Sequence, residues 1–318
     1  MNLAAMLGKR SFYGLVMLPD GFIFIQRDWL SSNSLLLINN DQAVLFDTGY
    51  VTHAEMTFSV LNNFLIGRPL DLVLNTHLHS DHCGGNALLQ SRFPDIEIGV
   101  PLTQFDDVTH WHGDKLSFEK TGQTCPPFKP SHGISAQSQL NLLNLGWETI
   151  QSPGHDNDSL MFYQPDFGIL ISADALWEKG VSVVFPELDG TNGFDTMFET
   201  FDLIERLNPS IVLPGHGPLF TDVASALAVS REKLSIFKAN PKYHATYSAK
   251  VLIKFKLMEL RQVLQTDFKR WCLQASLLLN IHQVFFQSIS ANDWVSSLLE
   301  DFHRKKSIDI QEGWIINL

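Results

Sequence analysis

The sequence is poor in cysteine: Cys83, Cys125 and Cys272 are the only three in 318 residues. An odd, sparse count excludes a disulfide framework and points to a reducing compartment, so cytoplasmic residence is expected. Uninterrupted apolar runs of about 18–20 residues, the length a transmembrane helix needs, are also missing. Residues 271–289 come nearest, but Gln274, Asn280, His282, Gln283 and Gln287 break the run, and an amphipathic core helix is expected there. Residues 1–10 hold no apolar stretch long enough for a signal peptide. Positive charge is scarce too. With 23 Lys and Arg against 34 Asp and Glu, the net charge is −11, which excludes nonspecific nucleic-acid binding by the surface as a whole. The deficit is uneven: residues 1–228 balance at −16 and residues 229–318 at +5. That asymmetry predicts a separate C-terminal module. The expected division is 1–240 and 241–318, with the junction at 240–243.

Hydrophobic residues make up 45% of the chain, enough for a sizeable core. Strands are expected at 21–29, 34–38, 43–46, 71–75, 96–100, 147–151, 160–163, 168–172 and 211–213, from short apolar or alternating runs bounded by turn residues. Helical spacing marks 53–65, 194–207, 223–240, 247–264, 268–279 and 293–303, and residues 307–318 read as a terminal hairpin around Glu312-Gly313. Residues 101–139 have no clear period and predict a long loop with short helical pieces, the kind of segment that often forms a lid. Strands and helices alternate in mixed order, which fits a layered α/β or α+β core.

The densest chemistry lies at 76–85, Thr-His-Leu-His-Ser-Asp-His-Cys-Gly-Gly. His77, His79, Asp81 and His82 place three imidazoles and a carboxylate on a loop after the strand at 71–75. These are ligands that borderline divalent ions prefer. Four other expected strands also end on a candidate. Asp47 closes 43–46, His155 follows 147–151, Asp174 follows 168–172 and His216 follows 211–213. Parallel strand ends would bring these residues to one rim. Five histidines and two aspartates satisfy two metals when one carboxylate bridges, and a close pair of ions can share a hydroxide. Asp47 in Asp-Thr-Gly reads either as a supporting residue of the site or as a turn.

This ordered pattern, over residues 20–220, resembles the metallo-β-lactamase superfamily. The resemblance implies an αβ/βα sandwich of two mixed sheets with helices outside. It implies that His77, His79 and His155 hold one metal, that Asp81, His82 and His216 hold a second, and that Asp174 bridges. A bridging hydroxide would then be the nucleophile, with Asp81 and Asp47 as catalytic residues, Asp81 moving protons and Asp47 supporting. His at 79 departs from the Glu of the diiron flavoprotein branch, and Asp at 174 from the Cys of the commonest zinc β-lactamases. Pro-Gly-His216-Gly departs from typical hydroxyacylglutathione hydrolases. The tail, helices followed by a hairpin, resembles the winged-helix tails of some β-lactamase-like hydrolases and endoribonucleases.

The expected protein is therefore a binuclear metal hydrolase of an ester, thioester or lactone, with two zinc ions, iron and manganese being the alternative metals. Its partner would be a small-molecule substrate, and a homodimer is left open. The alternatives are a phosphodiesterase or endoribonuclease acting on RNA, and a non-catalytic binding module with structural metals. The first alternative rests on the basic run that includes Arg231, Lys233, Lys250, Lys254 and Lys269, whose bland reading is a solvated helix surface. Trp111, beside His110 and His112, reads as a lid residue, and Cys83 as a small buried one. Trp177, Val181, Val183, Val184 and Phe185 read either as core or as an apolar wall beside the metals.

Overall fold

The computed structural model describes residues 12–13, 16–113 and 115–318. The segment 1–10, where no signal peptide is expected, lies outside them. Phe12–Tyr13 (β1) and Val16–Met17 (β2) pair antiparallel ahead of the main body. The first large sheet runs in spatial order through Phe22–Ile25 (β3), Ser34–Ile38 (β4), Ala43–Phe46 (β5), Leu72–Leu74 (β6), Glu97–Pro101 (β7) and His132–Ile134 (β8). β3 to β5 are antiparallel neighbours, and β5 to β8 are parallel. The second sheet comprises Gln139–Leu142 (β9), Leu145–Gln151 (β10), Leu160–Gln164 (β11), Ile169–Ala173 (β12) and Ile211–Pro214 (β13), ordered β13-β12-β11-β10-β9. Only its β12–β13 pair is parallel.

The period-2 direction of strand side chains decides the layering. Leu35 and Leu37 of β4 and Val44 and Phe46 of β5 face the second sheet, where they meet Trp147, Phe162 and Ile171. Leu36, Ile38 and Leu45 point the other way, onto Leu61 and Leu65 of the helix Ala54–Leu65 and Leu89 of Asn86–Arg92. On the far side, Met161, Leu170 and Val212 pack on Phe201, Ile204, Leu227 and Leu234 of the helices Gly193–Leu207 and Val223–Ala239. The result is helix, sheet, sheet, helix, the expected αβ/βα sandwich. Its centre is aromatic: Phe46 lies 5.5 Å from Trp147 and 4.9 Å from Phe162, ring centre to ring centre. Burying each such side chain stabilises the fold by about 1.5–3 kcal/mol.

The C-terminal helices depart from the sequence expectation. The helix expected over 247–264 runs Pro241–Leu260. Pro at its first turn is compatible with helix, and the Asn240 side chain accepts from Tyr243 N at 3.1 Å. The helix stops at Arg261, where φ is 61°. The chain then forms Gln262–Leu264 (β14), which joins Ile308–Gln311 (β15) and Trp314–Asn317 (β16) in a three-stranded sheet ordered β14-β16-β15. The terminal hairpin is as expected, but its third strand comes from residues read as helix. The single helix expected over 268–279, like the core helix expected over 271–289, is divided. Gln265–Cys272 and Ser276–Phe285 are separate helices, and Leu277, Leu278 and Ile281 are buried. Ala291–Arg304 completes the tail. Its residues Trp294, Val295 and Leu298 share a core with Leu252, Phe268 and, from the sandwich, Val183 and Leu188.

The short helical pieces expected in the long loop are Phe105–Thr109 and Ser117–Thr121, but β8, which extends the first sheet, comes from residues read as loop. Val108, Leu116, Phe118 and Phe128 plug the outer face of that sheet. Trp111 stacks on Phe118 with ring centres 5.6 Å apart, so it packs in this layer rather than over the site. Among the described residues, no helix is long and apolar enough to cross a membrane.

Candidate metal centre

Strand ends at one rim of the sandwich bring the candidates together. Asp47 follows β5, and its φ of 55° turns the chain away from the sheet. The cluster at 77–82 follows β6, His155 follows β10, Asp174 follows β12 and His216 follows β13. All of His77, His79, His82, His155, Asp174 and His216 are buried.

Three nitrogens meet at one point. His79 Nδ1 lies 3.0 Å from His77 Nε2 and 2.9 Å from His155 Nε2. The far nitrogens explain why this is not a set of ordinary hydrogen bonds. His155 Nδ1 donates to Val183 O at 2.6 Å, and a carbonyl can only accept. His79 Nε2 faces Asp156 Oδ2 at 3.3 Å. Thr76 Oγ1 donates to Asp47 Oδ2 at 2.8 Å, which leaves it free to accept from His77 Nδ1 at 3.1 Å. Each ring thus spends its proton outward, and the network assigns bare lone pairs to the inner nitrogens. Three converging lone pairs repel one another unless a cation sits among them.

A second set adjoins the first. His216 Nε2 lies 3.1 Å from Asp81 Oδ2, and His82 Nε2 lies 3.9 Å from the same oxygen. His82 Nδ1 is 2.8 Å from Asp47 Oδ2, so its proton is directed outward too. Its Nε2 is buried and has no hydrogen-bond partner. Buried polar atoms are rarely left so. Asp174 stands between the sets, with Oδ1 3.5 Å from His82 Nε2 and Oδ2 3.4 Å from His155 Nε2. The ligand atoms of His77, His79 and His155, of His77, His82 and Asp174, and of Asp81, His82 and His216 fall into groups within 4.8 Å. An orphaned imidazole nitrogen and an all-imidazole first set fit divalent metal ions.

Burial favours neutral rings at His77 and His155. Burial pushes His155 down to about 4, with His79 adding to the shift. Burial and the neighbouring imidazoles hold His77 well below its usual value. His82 goes the other way: burial opposes protonation, but Asp47, Asp174 and Asp81 outweigh it. Burial would raise Asp174, yet His216 and His82 hold its carboxyl well below the usual range.

Two glycines have steric roles here. A Cβ on Gly215 would run into Asp174 Oδ1 and would lie 3.0 Å from His82 Cε1. Gly154 sits at φ 131° against Met197, a conformation L residues rarely adopt. Cys83 is buried and donates to His79 O, with its Sγ 3.7 Å from that of Cys125. Both are free thiols, and the buried reading of Cys83 stands.

The site opens into a cleft of about 550 Å³, counting its mouth. Trp177, Val183 and Phe185 of the expected apolar wall line it, whereas Val181 and Val184 belong to the core behind. Trp29 stacks on His216 with ring centres 4.6 Å apart, and Trp177 Nε1 donates to Asp174 Oδ1 at 3.2 Å. Asp81 reaches the cleft and Asp47 does not. Of the described residues of the 101–139 loop, only Thr121 and Gln123 reach it. The sequence reading missed Asp156, Trp29 and the helix Pro241–Leu260 as parts of the site. Adjacency to His155 was the one local signal for Asp156.

Comparison with known proteins gives a consistent picture. A sequence profile described as Metallo-beta-lactamase superfamily matches residues 27–216, more than half of the chain. A probable metallo-hydrolase of Bacillus subtilis, YqgX, is 26% identical over 59% of this chain and 86% of its own length. A hydroxyacylglutathione hydrolase of Xanthomonas euvesicatoria is 29% identical over 61% of this chain, and the match spans only 64% of that relative. Among solved structures, a metallo-beta-lactamase family protein of Thermus thermophilus aligns with 93% of this chain and 98% of its own. Its TM-score is 0.54 at 15% identity, a likeness of fold.

Proposed function

The chain belongs to the metallo-β-lactamase superfamily and is a metal-dependent hydrolase; on that premise we propose that it is binuclear, that zinc is its metal, and that it cleaves an ester, thioester or lactone. The observation that carries this reading is the convergence of His77 Nε2, His79 Nδ1, His155 Nε2 and the partnerless His82 Nε2 on one small volume, while the other nitrogen of each ring faces an oxygen outside it. His77, His79 and His155 would hold one ion, and Asp81, His82 and His216 the other. Asp174 would bridge, a reading supported by its Oδ1 at 3.5 Å from His82 Nε2 and its Oδ2 at 3.4 Å from His155 Nε2. Imidazole-rich donor sets suit zinc, with iron the nearest alternative and manganese preferring more oxygen ligands. When bound, two such ions supply a hydroxide at neutral pH and polarise the group under attack.

The chain's own residues do the rest. Trp177 fixes Asp174 through its indole N–H. Asp81 lines the cleft; its Oδ2 lies on the His216 side and would hold metal, which leaves Oδ1 as the oxygen to take or return a proton. The Asp47 carboxylate bonds His82 and Thr76 and does not line the cleft, so Asp47 is a positioning residue. Cytoplasmic residence belongs to the same reading, since all three cysteines are free thiols.

The winged-helix resemblance of the tail is supported by its order of helix, strand, helices and hairpin. Several of its cations, however, are engaged within the chain. Lys250 pairs with Asp301, Lys254 with Ser307 O and Asn317, and Lys269 with Ser296. This arrangement favours a small-molecule substrate over RNA. The test is a panel of esters, thioesters, lactones and single-stranded RNA run with and without chelator. Hydrolysis that stops with chelator, returns with zinc and is lost in His79→Ala is expected. Full turnover by metal-free protein would overturn the reading.

A further inference from the structure

The cleft beside the metal centre has two kinds of wall. One is the ligand set. The other is apolar and comes from three separate places: Trp29 before β4, Trp177 and Phe185 after β12, and the C-terminal helix Pro241–Leu260. On that helix Tyr247, Val251 and Phe255 recur every four residues, so they share one face, and Leu252 lies beside them at the cleft. Tyr247 is anchored by its hydroxyl, which donates to Val181 O at 3.1 Å. That bond ties the helix to the segment that carries Val183 and Phe185.

The charge of the lining is equally informative. Its carboxylates, Asp81 and Asp174, belong to the ligand set, and among the described residues no lysine or arginine lines the cleft. A substrate arm ending in a carboxylate or phosphate would find no cation beyond the metals and would leave a charge against aromatic rings, a costly arrangement. An alkyl or aryl arm would instead bury its surface against Trp177, Phe185, Val251 and Phe255.

Resting on the hydrolase reading above, we infer that this cleft is an acyl-arm subsite, and that the preferred substrate is an ester, thioester or lactone whose acyl part is uncharged and apolar, recognised in part by the C-terminal helix. Glutathione-like arms, which carry carboxylates, are disfavoured. Attack gives the free carboxylic acid and an alcohol or thiol, the water supplying the oxygen and both protons. The acid product bears its charge at the metals and its alkyl tail in the cleft.

The experiment uses the full-length zinc-loaded protein and thioesters of one small thiol with acetyl, butanoyl, hexanoyl and adipoyl groups. The expected result is a rise in kcat/KM of roughly fourfold per added methylene until the cleft is filled. Adipoyl, as long as hexanoyl but ending in a carboxylate, should fall back toward acetyl. Val251→Asp should collapse the hexanoyl-to-acetyl ratio, and Val251→Ala should reduce it. A second readout needs no turnover: 6-bromohexanol should quench the emission of Trp29 and Trp177 saturably, and less so in Val251→Asp. Equal kcat/KM for acetyl, hexanoyl and adipoyl thioesters overturns the subsite and leaves the hydrolase reading intact. Saturable quenching with no hydrolysis of any member overturns the thioester reading and keeps the apolar subsite. Quenching and chain-length preference both unchanged in Val251→Asp remove the helix from the proposal.

Discussion

Replacing Asp47 by Asn separates a positioning role from a chemical one. Asp47 Oδ1 accepts from Thr76 N at 2.9 Å, while Oδ2 accepts from Thr76 Oγ1 and from His82 Nδ1, each at 2.8 Å. The amide keeps one oxygen for Thr76 N and puts an NH2 where Oδ2 was. His82 Nδ1–H then faces N–H. The ring escapes by taking the other tautomer, which puts a proton on Nε2, the atom that should bind metal. Loss of such an outer partner lowers metal affinity by about 10- to 100-fold, or about 1.4–2.8 kcal/mol. The loss should fall on the set Asp81, His82 and His216. His77 feels Asp47 only through Thr76 Oγ1, so the first ion should bind as before. Stepwise zinc titration against a chromophoric chelator resolves the two equivalents. Turnover should recover at saturating zinc. Two equivalents binding with unchanged affinity would refute the argument, and turnover still lost at full occupancy would place Asp47 in the chemistry itself.

Three further outcomes follow from the same geometry. Asp156→Ala removes the acceptor facing His79 Nε2 and should weaken the first ion by about 10- to 100-fold while sparing the second, read by the same titration. Gly215→Ala drives a methyl group against Asp174 and His82; metal content should fall sharply while far-UV circular dichroism is retained. His244 is buried, its Nε2 accepts from Val184 N at 3.1 Å, and burial pushes it down to about 4. Its folded value is below its unfolded one. Its contribution is therefore complete above about pH 6.5 and is lost as pH falls toward 4. Metal-free wild type should lose about 2 kcal/mol more than His244→Gln between pH 7.5 and pH 5 in urea unfolding; equal losses would show that His244 is protonated in the fold.

What the sequence displayed depended on how local each signal is. His77, His79, Asp81 and His82 fall within six positions, so their chemistry is visible without any fold. His155, Asp174 and His216 are single residues, visible only as strand endings in a fixed order. The partners that orient them were mostly invisible. Val183 O is a backbone atom, and Thr76 and Asp156 are ordinary polar residues until their distances to His77 and His79 are known. The tail was misread for a related reason. Val263 continues an apolar helical pattern, but its pairing with Ile315 is set by a strand fifty residues away. The Asn240-Pro241 start, by contrast, was available as a cap and a first-turn proline.

Separate origins for the ligands and the apolar wall have a consequence for specificity. The proposed ligands sit on the ends of sandwich strands, whose register is pinned by a core packed on both faces of each sheet. Shifting one ligand means shifting a strand. Val251, Leu252 and Phe255 sit on a helix whose core is shared with the tail and which touches the sandwich through Val183 and Leu188 and, at Phe255, through Leu30 and Tyr50. Changing their size alters the cleft without moving any metal ligand directly. His155 nevertheless ties the two together, because its Nδ1 donates to Val183 O, on the segment against which that helix packs. A substitution that displaced Val183 would thus loosen the first ligand set as well as the acyl wall. Substrate preference in this chain is adjustable at Val251, one helix turn from Tyr247 and Phe255, and costly to adjust at Val183.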